Sequence, residues 1–214
     1  MSLFVILLGG ELVRTPLVDQ QITGGRFIAA DSGIRHAGIL GITPELWIGD
    51  FDSVPAAMRA EYPNIPVAIF PTEKDKTDGE LAVDAAFERG ATALVLAGAF
   101  GGQRTDHAFL HLASAIRLAE AGVHVVLTSG AQEAHPLLPG ETRFDYEDGT
   151  LFSVLGFSAL SGLTLTGTKW PLIDADIPFG SSHTLSNEVE GELTVCVRKG
   201  RALLLAHPFP SLDI

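Results

Sequence analysis

Residues 77–98 read Thr77-Asp-Gly-Glu-Leu-Ala-Val-Asp-Ala-Ala-Phe-Glu-Arg-Gly-Ala-Thr-Ala-Leu-Val-Leu-Ala-Gly98, and this stretch decides the fold class. Thr77 and Glu80 have the spacing of a capping box, in which each side chain satisfies a backbone N–H at a helix start. That predicts a helix over 78–89, closed by Gly90, a residue that accepts the left-handed conformation common at helix ends. The apolar run at 93–97 then reads as a buried strand. Working outward, similar short apolar runs recur at 3–8, 27–30, 46–48, 67–70 and 124–128, with amphipathic segments between them. A second helix is expected over 106–121, ending at Gly122. Alternating strands and helices make a mostly parallel sheet covered on both faces.

After Gly130 the pattern changes. Pro136, Pro139 and Gly140 mark a linker, and the segments beyond it alternate with period two. Leu193, Val195 and Val197 fall on one strand face, as do Leu163 and Leu165. The expectation is an N-terminal α/β domain over 1–134 and a C-terminal all-β sandwich over 135–214, with the boundary near residue 135.

At 214 residues and 46% hydrophobic content the chain can bury a sizeable core. Its single cysteine, Cys196, excludes an internal disulfide and a multi-cysteine zinc site, which suits a reducing compartment. The apolar run at 3–8 is too short to span a bilayer and has no basic residues ahead of it, so a cytoplasmic location is expected. A net charge of −12 argues against nucleic acid and membrane partners, which are bound mainly through Lys and Arg. A phosphate-bearing ligand must therefore come with a cation or meet a local basic group.

The polar clusters follow the expected strands. Asp31 follows the second; Asp50 and Asp52 follow the third; Lys74, Asp75, Thr77 and Asp78 follow the fourth; Gly98 to Asp106 follows the fifth. In an open α/β sheet the carboxyl ends of strands line one crevice, so these groups should converge. Two like charges about 4 Å apart cost roughly 4 kcal/mol at an effective dielectric near 20, which calls for a divalent cation. Mg²⁺ suits, because it combines one or two carboxylates with phosphate oxygens and water. Arg104, at an expected helix start, offers a planar fork for phosphate, and the glycines before it allow backbone N–H groups near an anion. Humbler roles compete: Asp31 as a helix cap, Arg104 with Asp106 as a surface ion pair, the glycines as turn formers. His107 is the only histidine inside a cluster, where capping or support competes with catalysis. Neither a P-loop nor a Gly-x-Gly-x-x-Gly fingerprint occurs.

The ordered motifs resemble those of the thiamine pyrophosphokinase family. They are Asp31-Ser-Gly; Gly41-Ile-Thr-Pro-Glu45; Gly49-Asp50-Phe51-Asp52-Ser53; Glu73-Lys74-Asp75-Lys76-Thr77-Asp78; Gly101-Gly102-Gln103-Arg104-Thr105-Asp106-His107; Gly167-Thr-Lys-Trp170-Pro-Leu; and Ser186-Asn187-Glu188. The resemblance spans nearly the whole chain. It implies transfer of pyrophosphate from Mg²⁺-bound ATP to the hydroxyl of thiamine, with AMP released. It also implies a homodimer with thiamine where the subunits meet, an ATP-binding catalytic first domain and a thiamine-binding second domain. On this resemblance Asp50, Asp52 and Asp78 hold Mg²⁺, and Arg104 and Asp106 stand beside the phosphates. Asp31, Ser53, Lys74, Asp75, Thr77, Gly101, Gly102 and His107 complete the nucleotide side. Trp170, Ser186 and Asn187 contact thiamine; an aromatic face suits a cationic thiazolium, although a tryptophan in a sandwich core would look the same. The chain departs from the family pattern at Gln103, which intervenes before Arg104, and at His111, where many relatives carry Asn.

Three other readings share these residues. Asp50-Phe-Asp52-Ser-Val54 fits the Asp-x-Asp motif of haloacid-dehalogenase-type phosphatases, but it follows the third strand rather than the first. A hydroxymethylpterin could replace thiamine as acceptor, and a non-catalytic nucleotide sensor could use the same acidic crevice.

Overall fold

The computed structural model describes residues 2–51, 54–71, 73 and 75–209. The chain divides into two compact units, Met1–His111 with Val123–Gly130, and Leu112–Gly122 with Ala131–Ile214. No helix among the described residues is long and apolar enough to cross a membrane.

The first unit is built on parallel strands: β1 (Leu3–Leu7), β2 (Arg26–Ala30), β3 (Leu46–Gly49), β4 (Val67–Ile69), β5 (Ala93–Ala97) and β6 (His124–Thr128). They lie in the order β4-β3-β2-β1-β5-β6. β1 sits between β2 and β5, with Val5 opposite Phe27 and Val95. Every residue of β5 is buried, as a central parallel strand requires. The chain progresses outward from β1 to β4 on one side and then crosses back to β5 on the other. That reversal beside β1 creates a crevice at the strands' carboxyl ends.

Helices α1 (Pro16–Ile22), α2 (His36–Leu40), α3 (Ala56–Glu61), α4 (Asp78–Glu88) and α5 (Thr105–Glu120) accompany the strands. The capping box of α4 is present: the Glu80 N–H donates to Thr77 Oγ1 at 3.3 Å and the Thr77 N–H donates to Glu80 Oε2 at 3.0 Å. Trp47 of β3, 2% exposed, is the largest fully buried side chain. It packs with Val5, Leu7, Val18, Ile34, Phe51 and Val95 in one apolar cluster.

The second unit is antiparallel: β7 (Glu133–Leu137), β8 (Gly140–Phe144), β9 (Leu151–Gly156), β10 (Leu160–Thr168), β11 (Leu172–Ile177), β12 (Asn187–Val197) and β13 (Ala202–His207). β12 serves two sheets. Its first residues, Asn187 and Glu188, pair with β9, which pairs with β13 and through it with β7. Its later residues run between β8 and β10, and β11 lies beyond β10. Phe152, Val154 and Leu204 from one sheet and Leu163, Leu165, Leu193, Val195 and Val197 from the other form a single core, the sandwich expected from the alternation. The linker reading of Pro136 is corrected: it lies inside β7, opposite Leu203. Proline's fixed φ is compatible with extended backbone, so its presence did not break the strand.

Candidate functional site

Two groups of candidate side chains form, one in each unit. In the first, a cleft of about 440 Å³ opens at the carboxyl ends of the parallel strands. Of the residues singled out from sequence, Asp31, Thr77, Asp78, Gly101, Gly102, Arg104 and His107 line it. Asp50, Asp75 and Asp106 are not among the lining residues, and Asp52, Ser53 and Lys74 lie outside the described residues.

Trp47 organises the acidic side. Its buried indole N–H needs an acceptor and donates to the Asp31 carbonyl at 2.8 Å. Asp31 opens a 3₁₀ turn with φ 46°, a left-handed conformation that few non-glycine residues adopt. Phe51, flanked by Asp50 and Asp52 in the sequence, also has a positive φ, 63°. Its ring meets Trp47 edge-on at 4.9 Å, and Arg59 covers it while donating to its carbonyl at 3.0 Å. An unfavourable backbone is thus held by packing around two aspartate loops, a form of strain common at functional sites. The loops also adjoin. A Cβ added to Gly49, the residue before Asp50, would lie 3.3 Å from Asp31 Oδ1.

Asp78 is the first residue of α4, where a carboxylate is favoured by the helix dipole. Thr77 is occupied by the cap. Asp75 is exposed. Among the described residues no group of three or more His, Cys, Asp or Glu is arranged to hold a metal ion. The donor chemistry still fits Mg²⁺: Asp31 and Asp78 bring carboxylate oxygens to one cleft, and Asp50 follows the glycine packed against Asp31.

On the basic side, Arg104 makes a two-pronged ion pair with Asp106, Nε to Oδ1 at 2.9 Å and Nη2 to Oδ2 at 2.6 Å, with both side chains well exposed. The hydrogen bonds from Arg104 hold the Asp106 carboxyl far below the usual carboxylate range. Gly101 has φ 66°, so the turn favours glycine for its backbone angle, and a Cβ there would have to displace the Glu11 side chain, whose Oε2 would lie 2.5 Å away. The Gly102 N–H reaches Glu11 Oε1 at 3.4 Å, which shows that the turn offers an amide to an anion.

Two residues at the cleft escaped the sequence reading, Arg35 on its lining and His36 behind it. Arg35 crosses the cleft edge, one terminal nitrogen donating to the carbonyls of Gly9 and Gly10 at 2.7 Å each. His36, 2% exposed, donates from Nε2 to the Gly10 carbonyl at 2.9 Å, and burial lowers its pKa from 6.5 to about 4. His111 lines the cleft one turn beyond His107, with ring centroids 6.4 Å apart. The sequence marked His111 only as a departure from the family pattern; its i, i+4 spacing from His107 on an expected helix was the signal that places both on one wall.

In the second unit, Trp170, Ser186 and Asn187 come together at the ends of β10 and β12. Asn187, buried, clamps the Trp170 backbone: its Oδ1 accepts from the Trp170 N–H at 3.2 Å and its Nδ2 donates to the Trp170 carbonyl at 2.8 Å. The same Oδ1 accepts from the Glu188 N–H at 2.8 Å. Ser186 has φ 58°, and its N–H donates to Ser153 Oγ at 3.0 Å. The Trp170 ring is left 56% exposed, with Lys169 Nζ 5.0 Å from its centroid and the same ammonium 2.9 Å from Glu188. The contact shows that the ring attracts a cation, as an indole face does.

Comparison with known proteins agrees over most of the length. Residues 24–127 match the model for "Thiamin pyrophosphokinase, catalytic domain", and residues 141–202 match that for "Thiamin pyrophosphokinase, vitamin B1 binding domain". The chain is 30% identical over 167 residues to the thiamine pyrophosphokinase of Bacillus subtilis, covering 76% of this chain and 78% of that protein. A crystal structure of the Bacillus subtilis thiamine pyrophosphokinase aligns with a TM-score of 0.84 at 26% identity, over 98% of this chain and 100% of that one. The thiamin pyrophosphokinase of Candida albicans aligns at 0.80 with 13% identity, over 97% and 89%, a likeness of fold alone.

Proposed function

We propose, from the fact that this chain belongs to the thiamine pyrophosphokinase family, that it moves a pyrophosphoryl group from ATP to the hydroxyl of thiamine, giving thiamine diphosphate and AMP. The observation that carries this reading is the strand-end cleft, where Asp31 and Asp78, the Gly101–Gly102 turn and Arg104 line one cavity. Residues 1–134 would bind ATP and perform the transfer, and residues 135–214 would bind thiamine.

Attack of the hydroxyl on the β-phosphorus of ATP needs orientation and charge stabilisation more than covalent help from the protein. Asp50, Asp52 and Asp78 would hold Mg²⁺, which supplies charge neutralisation to the phosphate oxygens when bound. Asp31 would orient that carboxylate group from its Trp47-anchored turn. Arg104 would turn its fork from Asp106 to phosphate; an exposed ion pair is weakly held and exchanges readily. While that pair persists, the depressed Asp106 carboxyl is a weak base; once Arg104 turns to phosphate that depression is relieved, so Asp106, like Asp75, could orient the hydroxyl or take its proton. The amides of Gly101 and Gly102 would face phosphate oxygens, with His107, Lys74, Asp75, Ser53 and Thr77 completing the surroundings. Trp170 would stack on the thiazolium, held in place by Asn187 and flanked by Ser186.

The exposed apolar side chains of Trp170, Ile173, Phe179 and Leu185 support a homodimer with thiamine at the subunit junction. A reduced single cysteine supports a cytoplasmic enzyme. Incubation of the protein with ATP, Mg²⁺ and thiamine should give AMP and thiamine diphosphate in equal amounts by chromatography. Nucleotide hydrolysis that ignores thiamine would refute the transfer.

A further inference from the structure

Arg35 ends the 3₁₀ turn that Asp31 opens, and its side chain reaches the loop that follows β1. Its Nη2 carries two hydrogens, and two carbonyls take them, those of Gly9 and Gly10 at 2.7 Å each. The N–H donors on Nε and Nη1 remain, and among the described residues no carboxylate pairs with this guanidinium. Carbonyl acceptors fix the group without cancelling its charge. That charge reaches behind the cleft, where it adds to burial in lowering the His36 pKa.

The anchoring carbonyls adjoin the Gly101–Gly102 turn. A Cβ added to Gly102 would lie 3.5 Å from Gly10 Cα and 3.7 Å from the Gly9 oxygen, and one added to Gly10 would lie 2.3 Å from the Phe100 oxygen. The loops after β1 and β5 thus meet backbone to backbone, with Arg35 at their junction on the lining of the cleft. The other arginine among the described lining residues, Arg104, is already paired with Asp106. A fixed, uncompensated cation beside backbone amides repels a thiazolium and suits phosphate oxygens.

We infer that Arg35 is a phosphate-binding residue of this cleft, held on the Gly9 and Gly10 carbonyls while its remaining N–H donors take the polyphosphate of the nucleotide. The inference rests on the proposed use of ATP here. It divides the work between two arginines: Arg35, already anchored, supplies affinity for the bound nucleotide, and Arg104, which must leave Asp106, acts during transfer.

The test measures equilibrium binding of ATP and of inorganic tripolyphosphate, each with Mg²⁺, to the wild type, Arg35→Gln and Arg35→Lys over a range of salt concentrations. Glutamine keeps an N–H₂ group for the carbonyls and removes the charge. Arg35→Gln should weaken both anions roughly 10- to 100-fold, the worth of a charge-assisted hydrogen bond, and its affinity should fall less steeply with salt than that of the wild type. Arg35→Lys should recover part of the loss. In turnover the KM for ATP should rise in Arg35→Gln while the KM for thiamine holds. Unchanged binding in Arg35→Gln would overturn the assignment. So would a loss accompanied by a lowered thermal midpoint, an unaltered salt dependence and no recovery in Arg35→Lys, the pattern of a merely structural arginine. A wild type that binds ATP through Arg35 yet forms no thiamine diphosphate would refute the proposed reaction alone, so the two failures are separable.

Discussion

The cleft of the first unit and the Trp170 corner of the second present their chemistry in opposite ways. In the cleft, the side chains that line it come from four loops far apart in sequence, and the framework behind them is a buried apolar one centred on Trp47. At the corner, the polar group is the framework: Asn187 spends its amide on the backbone of Trp170, and the ring it holds is the part left outside. The first arrangement suits charge, which needs convergent donors and acceptors. The second, on the proposed function, would suit a flat cation, which needs a rigid face. Substitutions in the two regions should therefore separate turnover from thiamine affinity.

The largest effect is expected in the cleft. Arg104→Gln should lower kcat by about 10²- to 10³-fold, as removal of a single charge-stabilising donor does, with little change in thermal stability because the arginine is exposed. A loss confined to the KM for thiamine would erase the distinction between the regions. Next comes an acid sensitivity that belongs to the first unit. His36 titrates near 6.5 when unfolded and at about 4 when folded, so the native state favours its neutral form. Its contribution is complete above pH 6.5 and is lost as pH falls toward 4, up to about 3 kcal/mol by proton linkage. Urea midpoints at pH 7 and pH 5 should show this slope in the wild type and a smaller one in His36→Gln.

At the corner, Trp170→Leu should raise the KM for thiamine roughly 2- to 30-fold, corresponding to about 0.5–2 kcal/mol of cation–π attraction, while the KM for ATP stays constant. An equal change for both substrates would show that the ring serves the fold rather than the ligand. The smallest effect is purely local: Thr77→Ala should destabilise the protein by about 1 kcal/mol in urea unfolding through loss of the α4 cap. A much larger loss of turnover than of stability in that variant would give the hydroxyl a second role.

Much of this was legible in the sequence because it is written locally. The capping box at Thr77–Glu80 fixed the start of α4, Gly90 marked the end of α4 and Gly122 that of α5, and period-two alternation placed Leu193, Val195 and Val197 inward. The convergence of Asp31, Asp78 and Arg104 followed from a topological rule about strand ends. What stayed hidden depends on long-range contact. Trp47 reads as an ordinary apolar strand residue, yet its N–H sets the Asp31 turn sixteen positions earlier. The turn at Asp31–Arg35 and helix α2 are five residues each, too short for periodicity to register. Asn187 looked like a ligand contact because a buried amide and an exposed one are identical in sequence; only its three partners around Trp170 reveal the clamp.

The most direct test of the central claim is a single-turnover transfer with ATP labelled at the β-phosphorus, run on the wild type and on Asp78→Asn after both are shown to be folded. Label should pass into thiamine diphosphate with matching AMP in the wild type and should not pass in the variant. Undiminished transfer by Asp78→Asn would contradict the assignment of the strand-end cleft as the place where the pyrophosphoryl group moves.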